Sequence, residues 1–449
     1  MNNPTALLAL LVVFGINPTL PAIDAVSDSR SVSAGDNGGF YLKDGDRVVF
    51  YGDSITEQRL YSGMTELFVV TRFPKLNVEF THSGWGGDTV SKAFMGGGRD
   101  TLDVRLQRDV LAHKPTVMTV MLGMNDGHYQ PFDQATHDNY TNGYAYLLDT
   151  VQKGNPGIRF TLIGPSPYDD ITRPAHFEGG YNAVLKGFVA FVAKTSEERR
   201  QTFADFNSSL CDVLDKARQK DPQTAQAIIG DRVHPGAAGH LIMAETLLKA
   251  WNAPSLVSRV EIDGGKMKTM KSENTVVTDL SGTKGISWKQ EDAALPFPID
   301  QSLPETRLVV GSSDVFAALD QEILKVTNLQ GEAYTLRIDG DPVGVFSVKE
   351  LGEGINLAAL QTPMWKQAWH VYDLTKQRME KHFSRWRTLQ VSIGQDPSPL
   401  MQTPEIKQAL QILLKALDQE NEDLRRQQHE ASQPRPHVYQ LEPVLPQQS

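Results

Sequence analysis

The sequence has one cysteine among its 449 residues, Cys211, so no disulfide can form within the chain. Paired cysteines for a zinc site are therefore missing, and the eleven histidines form no HExxH pair. A GxxxxGKS or GxxxxGKT phosphate loop is also missing. Cys211 lies in a helix-like stretch, which favours an inert buried thiol over a nucleophile. The sequence thus predicts neither a metal nor a cofactor.

The chain also lacks a basic cluster and a long apolar segment. Its formal net charge of -10 argues against a nucleic-acid partner. The apolar run of residues 6–16 is too short to span a bilayer comfortably and resembles a signal-peptide core, with a cut after Ala22 or Ala25. We therefore predict a signal peptide over residues 1–25, export to the periplasm or exterior, and no stable membrane span. The missing disulfides fit the cytosol equally well.

Strand-like apolar runs alternate with helical periodicity in the first half of the chain. The predicted strands are residues 47–52, 76–81, 116–122, 159–164 and 202–206. This alternation predicts an α/β domain over residues 40–253, with a parallel sheet covered by helices on both faces. Because 449 residues exceed one ordinary core, we expect a second domain.

The sequence changes character after Pro254. Short strand-like segments separated by turns predict a smaller antiparallel β-sandwich over residues 256–352. Residues 353–430 are predicted to be helical and to pack between the domains, and the Gln- and Pro-rich residues 431–449 are predicted to be disordered. This accessory region could bind polysaccharide, line a cleft or stabilise the first domain, and the sequence does not distinguish between these roles.

The first candidate for chemistry is Ser54. Gly52-Asp53-Ser54 ends the apolar run of residues 47–51 and precedes a polar segment, which predicts a strand-to-helix turn at Ser54. Nucleophilic serines lie at such turns, and the unpaired N–H groups of a first helical turn can donate to a developing oxyanion. In the alternative interpretation, Ser54 and Glu57 form a capping box and the hydroxyl only closes the helix start.

A base and its orienting acid are found far downstream, in Asp231-Arg232-Val233-His234. A helix-like stretch begins shortly after His234, which predicts a loop position for the imidazole. Asp231 can fold back and accept a hydrogen bond from one ring nitrogen, which leaves the other nitrogen for Ser54. Alternatively, Asp231 only caps the helix.

Two glycine-containing loops offer hydrogen-bond donors. Residues 84–89 and 123–127 each follow a predicted buried strand, and the carboxyl ends of parallel strands form the ligand crevice of such folds. Glycine lets a backbone N–H approach a substrate closely, and Asn125 carries a side-chain amide. Asn-Asp-Gly, at residues 125–127, is also an ordinary turn sequence.

Four short blocks in this order resemble the SGNH (GDSL-type) hydrolase family, over about residues 44–252. They are Gly52-Asp53-Ser54, Gly87-Asp88-Thr89, Gly123-Met124-Asn125-Asp126 and Asp231-Arg232-Val233-His234. The resemblance implies a three-layer αβα, flavodoxin-like hydrolase domain, followed here by the accessory region. One position departs from the family, because His82 stands where members often have Asn.

The resemblance also implies roles for individual residues. Ser54 matches the nucleophile, His234 the base and Asp231 the residue that orients the base. The Ser54 N–H, the Gly87 N–H and the Asn125 side-chain amide match the oxyanion donors. Asp53 matches a residue that supports the turn.

We therefore expect a serine ester hydrolase that works through an acyl-enzyme, with a small-molecule or polysaccharide ester as its substrate. A small-acyl (acetyl) esterase on carbohydrate is favoured, and a lipase or general carboxylesterase is the alternative within the same class. A non-catalytic binding protein on the same fold is the alternative of another class. Trp85 and Tyr129, beside the expected donors, are candidates for stacking on a sugar ring or for plain packing.

Overall fold

The computed structural model describes residues 39–90, 100–283 and 285–444. The predicted signal peptide, residues 1–25, lies outside these residues, so export stays a prediction. None of the helices within the described ranges has the length and apolar character needed to cross a membrane.

The apolar runs of the first half form one parallel sheet. Its strand order is β2-β1-β3-β4-β5, the order of flavodoxin-like folds. The strands are β1 (Arg47–Gly52), β2 (Glu79–Gly84), β3 (Val117–Met121), β4 (Arg159–Gly164) and β5 (Thr202–Asp205). The three central strands, β1, β3 and β4, are buried almost along their whole length, as expected for a sheet covered on both faces.

Helices cover both faces of this sheet. Phe50 packs edge-on against Tyr61 of α2, whereas the next residue, Tyr51, lies beneath the guanidinium of Arg105 in α3. Since successive side chains of a strand point to opposite faces, α2 and α3 lie on opposite sides of the sheet. The helices are α1 (Ser54–Glu57), α2 (Leu60–Arg72), α3 (Leu102–Asp109), α4 (Gln134–Gly154), α5 (Tyr181–Glu198), α6 (Phe206–Lys220), α7 (Pro222–Ala225) and α8 (Ala237–Ala250). The predicted α/β fold class is confirmed.

Two further sheets form the β-rich accessory region, which is also confirmed. One has the order β13-β10-β6-β7 and the other β12-β11-β14-β9-β8. The strands are β6 (Leu256–Asp263), β7 (Lys268–Glu273), β8 (Thr275–Ser281), β9 (Ile286–Asp292), β10 (Gln321–Thr327), β11 (Ala333–Ile338), β12 (Asp341–Ser347), β13 (Ile355–Asn356) and β14 (His437–Pro443). The expectation of purely antiparallel pairing is wrong, because β6 and β10 pair in parallel. The chain between them is long enough for the crossover that parallel pairing needs.

Helices connect the accessory strands and then return to the first sheet. They are α9 (Pro304–Val310), α10 (Val315–Leu319), α11 (Val348–Glu353), α12 (Pro363–Phe383) and α13 (Pro404–Ala431), and a π-helical segment, Ser384–Ile393, follows α12 directly. Within α12, Met364 contacts the Tyr439 hydroxyl of the accessory sheet, and Arg378 binds Glu66 of α2. This helix therefore contacts both regions.

The prediction of a disordered tail over residues 431–449 is wrong for residues 437–443. They form β14, which lies between β9 and β11 in the middle of its sheet. Tyr439 and Leu441 are fully buried, whereas Val438, which precedes Tyr439, is 44% exposed. This alternation of buried and exposed residues is a strand signal, although Gln and Pro dominate the surrounding composition.

A buried polar cluster joins α12 and α13 to the first sheet and accounts for His82. The ring of His82 donates from Nε2 to Glu66 Oε2 at 3.0 Å and accepts at Nδ1 from the Ser62 hydroxyl at 2.8 Å. Glu66 Oε1 accepts from Arg378 of α12 at 2.5 Å and from the Gln428 amide of α13 at 2.9 Å. The histidine that departs from the family pattern thus supports the docking of the C-terminal helices.

The charges of this cluster predict a loss of stability in acid. Burial acts to raise the pKa of Glu66, but Arg378 and His82 outweigh it and lower this pKa to about 2. Burial also lowers the pKa of His82. Both groups therefore take up protons more readily in the unfolded chain, so stability falls as the pH drops below the ordinary histidine and glutamate values.

Replacing Glu66 should remove much of the dependence of stability on pH. We expect Glu66→Gln to cost about 3–5 kcal/mol at pH 7, because it leaves the buried Arg378 without its counter-charge. The difference from the wild type should shrink as the pH falls from 5 towards 3, measured by urea unfolding. Glu178→Gln, at an exposed loop position, is the control and should change little. A difference that stays constant with pH would contradict the assignment.

Candidate active site

The ends of three neighbouring strands bring the predicted site loops together. Gly52 of β1 pairs with Gly84 of β2 on one side and with Met121 of β3 on the other. Because the strands are parallel, the loops that follow them leave the sheet at one level and on one edge. These loops are residues 53–54, 85–89 and 122–127, which contain the predicted nucleophile and the predicted oxyanion donors.

Ser54 is the first residue of α1, but it does not cap that helix. The N-cap is Asp53, whose Oδ1 accepts from the Ile55 N–H at 3.0 Å. The Ser54 hydroxyl instead lies 2.8 Å from His234 Nε2. The interpretation of Ser54 as a mere helix cap is therefore wrong, and its hydroxyl is left for the imidazole.

The loop before α8 presents His234 and Asp231 together. Asp231 Oδ2 lies 2.7 Å from His234 Nδ1, while its Oδ1 accepts from the backbone amides of Val233 and His234 at 2.9 and 2.8 Å. A carboxylate only accepts, so Nδ1 carries the proton and Nε2 accepts from the Ser54 hydroxyl. Burial acts to raise the pKa of Asp231, but these hydrogen bonds outweigh it and hold the pKa below its usual range. Asp231 therefore serves the turn and the imidazole at once.

A second histidine, which the sequence analysis missed, holds the helix after His234 against the helices near Ser54. His240 of α8 accepts at Nδ1 from the Tyr61 N–H at 3.2 Å and donates from Nε2 to Gln58 Oε1 at 2.6 Å. Burial lowers the pKa of His240 to about 3, which keeps the ring neutral. It ties the helix that follows His234 to the helices that follow Ser54. A lone histidine within an apolar helical stretch was the only signal in the sequence.

Two of the predicted oxyanion donors lie in the loops that follow β2 and β3. Gly87 has a φ of 72°, a left-handed conformation that favours glycine, and its N–H has no acceptor among the described residues. Asn125 Nδ2 donates to the Asp88 carbonyl at 3.0 Å, and the Tyr129 hydroxyl donates to Asn125 Oδ1 at 3.1 Å. An amide has two N–H bonds, so one remains for a ligand. The Ser54 N–H is unpaired within α1 because Ser54 begins that helix.

Three buried aspartate side chains support the backbones of these loops. Asp53 accepts from Ile55, Asp126 accepts from the Val90 N–H at 2.9 Å, and Asp88 pairs with Arg105 at 3.0 Å. Burial raises the pKa of Asp53 to about 7 and that of Asp126 to about 8. Their hydrogen bonds hold the loop backbones, which matches the supporting role expected for Asp53.

Of the two candidates for stacking on a sugar ring, Trp85 is buried and Tyr129 is exposed. Trp85 is only 5% exposed and packs against Trp386, so stacking on a ligand is excluded for it. Tyr129 is 42% exposed beside Asn125, although its ring also packs against Tyr168 and Tyr181. Among the described residues, no group of three or more His, Cys, Asp and Glu side chains could hold a metal ion.

The chain is similar to several proteins of known family or structure. Residues 50–242 match the family model described as GDSL-like lipase/acylhydrolase. An acetylxylan esterase from Geobacillus stearothermophilus is 26% identical over 227 residues, which are 46% of this chain and 93% of the relative. The solved structure of a gut microbial diltiazem-metabolizing enzyme is 26% identical with a TM-score of 0.75, and the match covers 90% of this chain and 98% of that chain. This second similarity extends over the accessory region as well.

The position of Asn125 generates a direct test. If its free amide N–H donates to an oxyanion, Asn125→Ala should lower kcat for p-nitrophenyl acetate about 100- to 1000-fold. The unfolding midpoint should stay close to that of the wild type. Asn139→Ala, on the exposed side of α4, is the matched control and should keep full turnover. Near-native kcat in Asn125→Ala would show that the amide is not an oxyanion donor.

Proposed function

We propose a substrate class for this chain, which belongs to the GDSL-like lipase/acylhydrolase (SGNH) family and is a carboxylic ester hydrolase. It removes small acyl groups, above all acetyl, from carbohydrate. The observation that carries the proposal is the chain of contacts from Asp231 through His234 to Ser54, at 2.7 and 2.8 Å. A non-catalytic binding role is not kept, since the chain is an ester hydrolase.

In the proposed mechanism, Ser54 Oγ attacks the ester carbonyl carbon while His234 Nε2 takes the hydroxyl proton. Asp231 holds the imidazole in the required tautomer and stabilises the imidazolium that forms. The N–H groups of Ser54 and Gly87 and the Asn125 amide donate hydrogen bonds to the negatively charged carbonyl oxygen. His234 then protonates the leaving alcohol. Water repeats these steps on the acyl-enzyme and restores Ser54.

Two observations support acetylated carbohydrate as the substrate. The first is the similarity to an acetylxylan esterase, which spans 93% of that relative. The second is the exposed ring of Tyr129, whose hydroxyl binds the Asn125 side chain. A flat aromatic face next to the reacting carbonyl can cover the apolar C–H face of a sugar ring.

A second candidate is hydrolysis of esters of small, non-carbohydrate molecules. It is favoured by the match to the diltiazem-metabolizing enzyme, because that match covers the accessory region as well as the hydrolase domain. In this case, Tyr129 would contact an aromatic alcohol rather than a sugar. Both candidates use the same acyl-enzyme and differ only in the alcohol.

A substrate series separates these possibilities. We expect kcat/KM for p-nitrophenyl esters to fall from acetate through butyrate to octanoate, and acetate to be released from acetylated xylo-oligosaccharides. Ser54→Ala should abolish turnover, whereas the control Ser208→Ala, at an exposed position in α6, should not. Turnover that does not depend on Ser54 would overturn the mechanism. A preference for octanoate would overturn the acetyl assignment, and acetate release from small aromatic esters alone would favour the second candidate.

A further inference from the structure

We propose that Arg387, in the π-helical segment after α12, is a positioning residue for ester hydrolysis that holds the glycine loop of residues 84–89 beside Ser54. This inference rests on the proposed function, because it assigns a task to the Gly87 amide. It also gives part of the accessory region a role in the reaction, which the sequence left open.

The first contact runs through Glu57, the last residue of α1. Glu57 Oε2 accepts from the Gly86 N–H at 2.7 Å, and its Oε1 accepts from Arg387 Nε and Nη2 at 3.2 and 3.0 Å. Both carboxylate oxygens are therefore used, one by the loop and one by the guanidinium fork. Arg387 fixes the carboxylate, and the carboxylate fixes the amide that precedes Gly87.

The second contact runs through Trp85. The Arg387 guanidinium lies 3.7 Å from the centre of the indole ring, which is a close cation–π contact. Trp386, its neighbour, packs on the same indole and donates from Nε1 to Asp109 Oδ1 at 2.7 Å. Arg387 thus holds two consecutive residues of the loop, the Trp85 ring and, through Glu57, the Gly86 amide.

The loop needs such support because its own glycine-containing sequence restricts the backbone conformation very little. Gly86 and Gly87 have wide backbone freedom, and Gly87 adopts a φ of 72°. The loop also lies directly against the nucleophile, since a Cβ built on Gly86 would lie 3.8 Å from Ser54 Cβ and 2.8 Å from Glu57 Oε2. A small shift of this loop would move the Gly87 amide away from a developing oxyanion, where misplacement by about 1 Å can cost a factor of 100 in rate.

A purely structural role for Arg387 would have different consequences. If the residue only attached the π-helical segment to the hydrolase domain, its loss would lower stability and leave turnover by the folded protein intact. Arg385 offers the matched control, because it lies two residues away in the same segment but pairs with Asp418 of α13 at 2.7 Å. Within the described ranges, its hydrogen bonds go to Asp418 and Gln390 and none goes to the glycine loop.

The test compares Arg387→Met, Arg387→Lys and Arg385→Met in the full chain. We expect Arg387→Met to lower kcat for p-nitrophenyl acetate about 10- to 100-fold with little change in KM. Arg387→Lys, which keeps the charge but loses the fork, should recover part of the loss. Hydrogen exchange in peptides covering residues 84–89 should be faster in Arg387→Met and unchanged in Arg385→Met.

Each outcome decides the matter. Unchanged kcat or unchanged exchange in Arg387→Met would overturn the proposal, and so would an equal fall of kcat in Arg385→Met. A rise in KM alone would also overturn it, because it would indicate a binding role. Should Ser54→Ala keep wild-type turnover, the proposed function itself fails, and the exchange comparison still decides whether Arg387 holds the loop.

Discussion

The parallel pairing of Gly52 with Gly84 and Met121 is the constraint on which the site depends. It places the turn at Ser54, the glycine loop and the Asn125 loop at one level of the sheet. Space there is too small for other side chains: a Cβ on Gly52 would lie 2.2 Å from Thr56 Oγ1, and one on Gly84 would lie 2.2 Å from the Glu57 N atom. α1 can therefore sit directly on the strand ends, which keeps Ser54 close to both donor loops.

Contacts between residues far apart in the sequence bring the remaining parts of the site to the edge of the sheet. His234 reaches Ser54 from 180 residues away, and neutral His240 fixes α8 against Gln58, at the end of α1, and Tyr61 of α2. Glu66 of α2 and Arg378 anchor α12, which leads into the segment that carries Arg387. The C-terminal half of the chain is thus tied to the hydrolase domain by buried charges as well as by apolar packing.

The sequence predicted those parts of the molecule that depend on local patterns. β1 and β4 lie at the expected residues, because β-branched runs that end at glycine specify them locally. The local sequence indicates only a capping-box role for Glu57, because its partners Gly86 and Arg387 are 29 and 330 residues away and leave no local trace. The prediction of a disordered tail is wrong for another reason: the Gln- and Pro-rich composition masks the alternation around Tyr439, and the partner strands of β14 lie about 100 or more residues earlier.

Covalent labelling tests most directly whether Ser54 is a nucleophile activated by His234. The protein is treated with a fluorophosphonate, and the modified peptide is identified by mass spectrometry. We predict one phosphonyl group per chain, on Ser54, and labelling slowed by about 100-fold or more in His234→Ala, as expected for loss of a general base. A label on another residue, or an equal labelling rate without His234, would contradict the account.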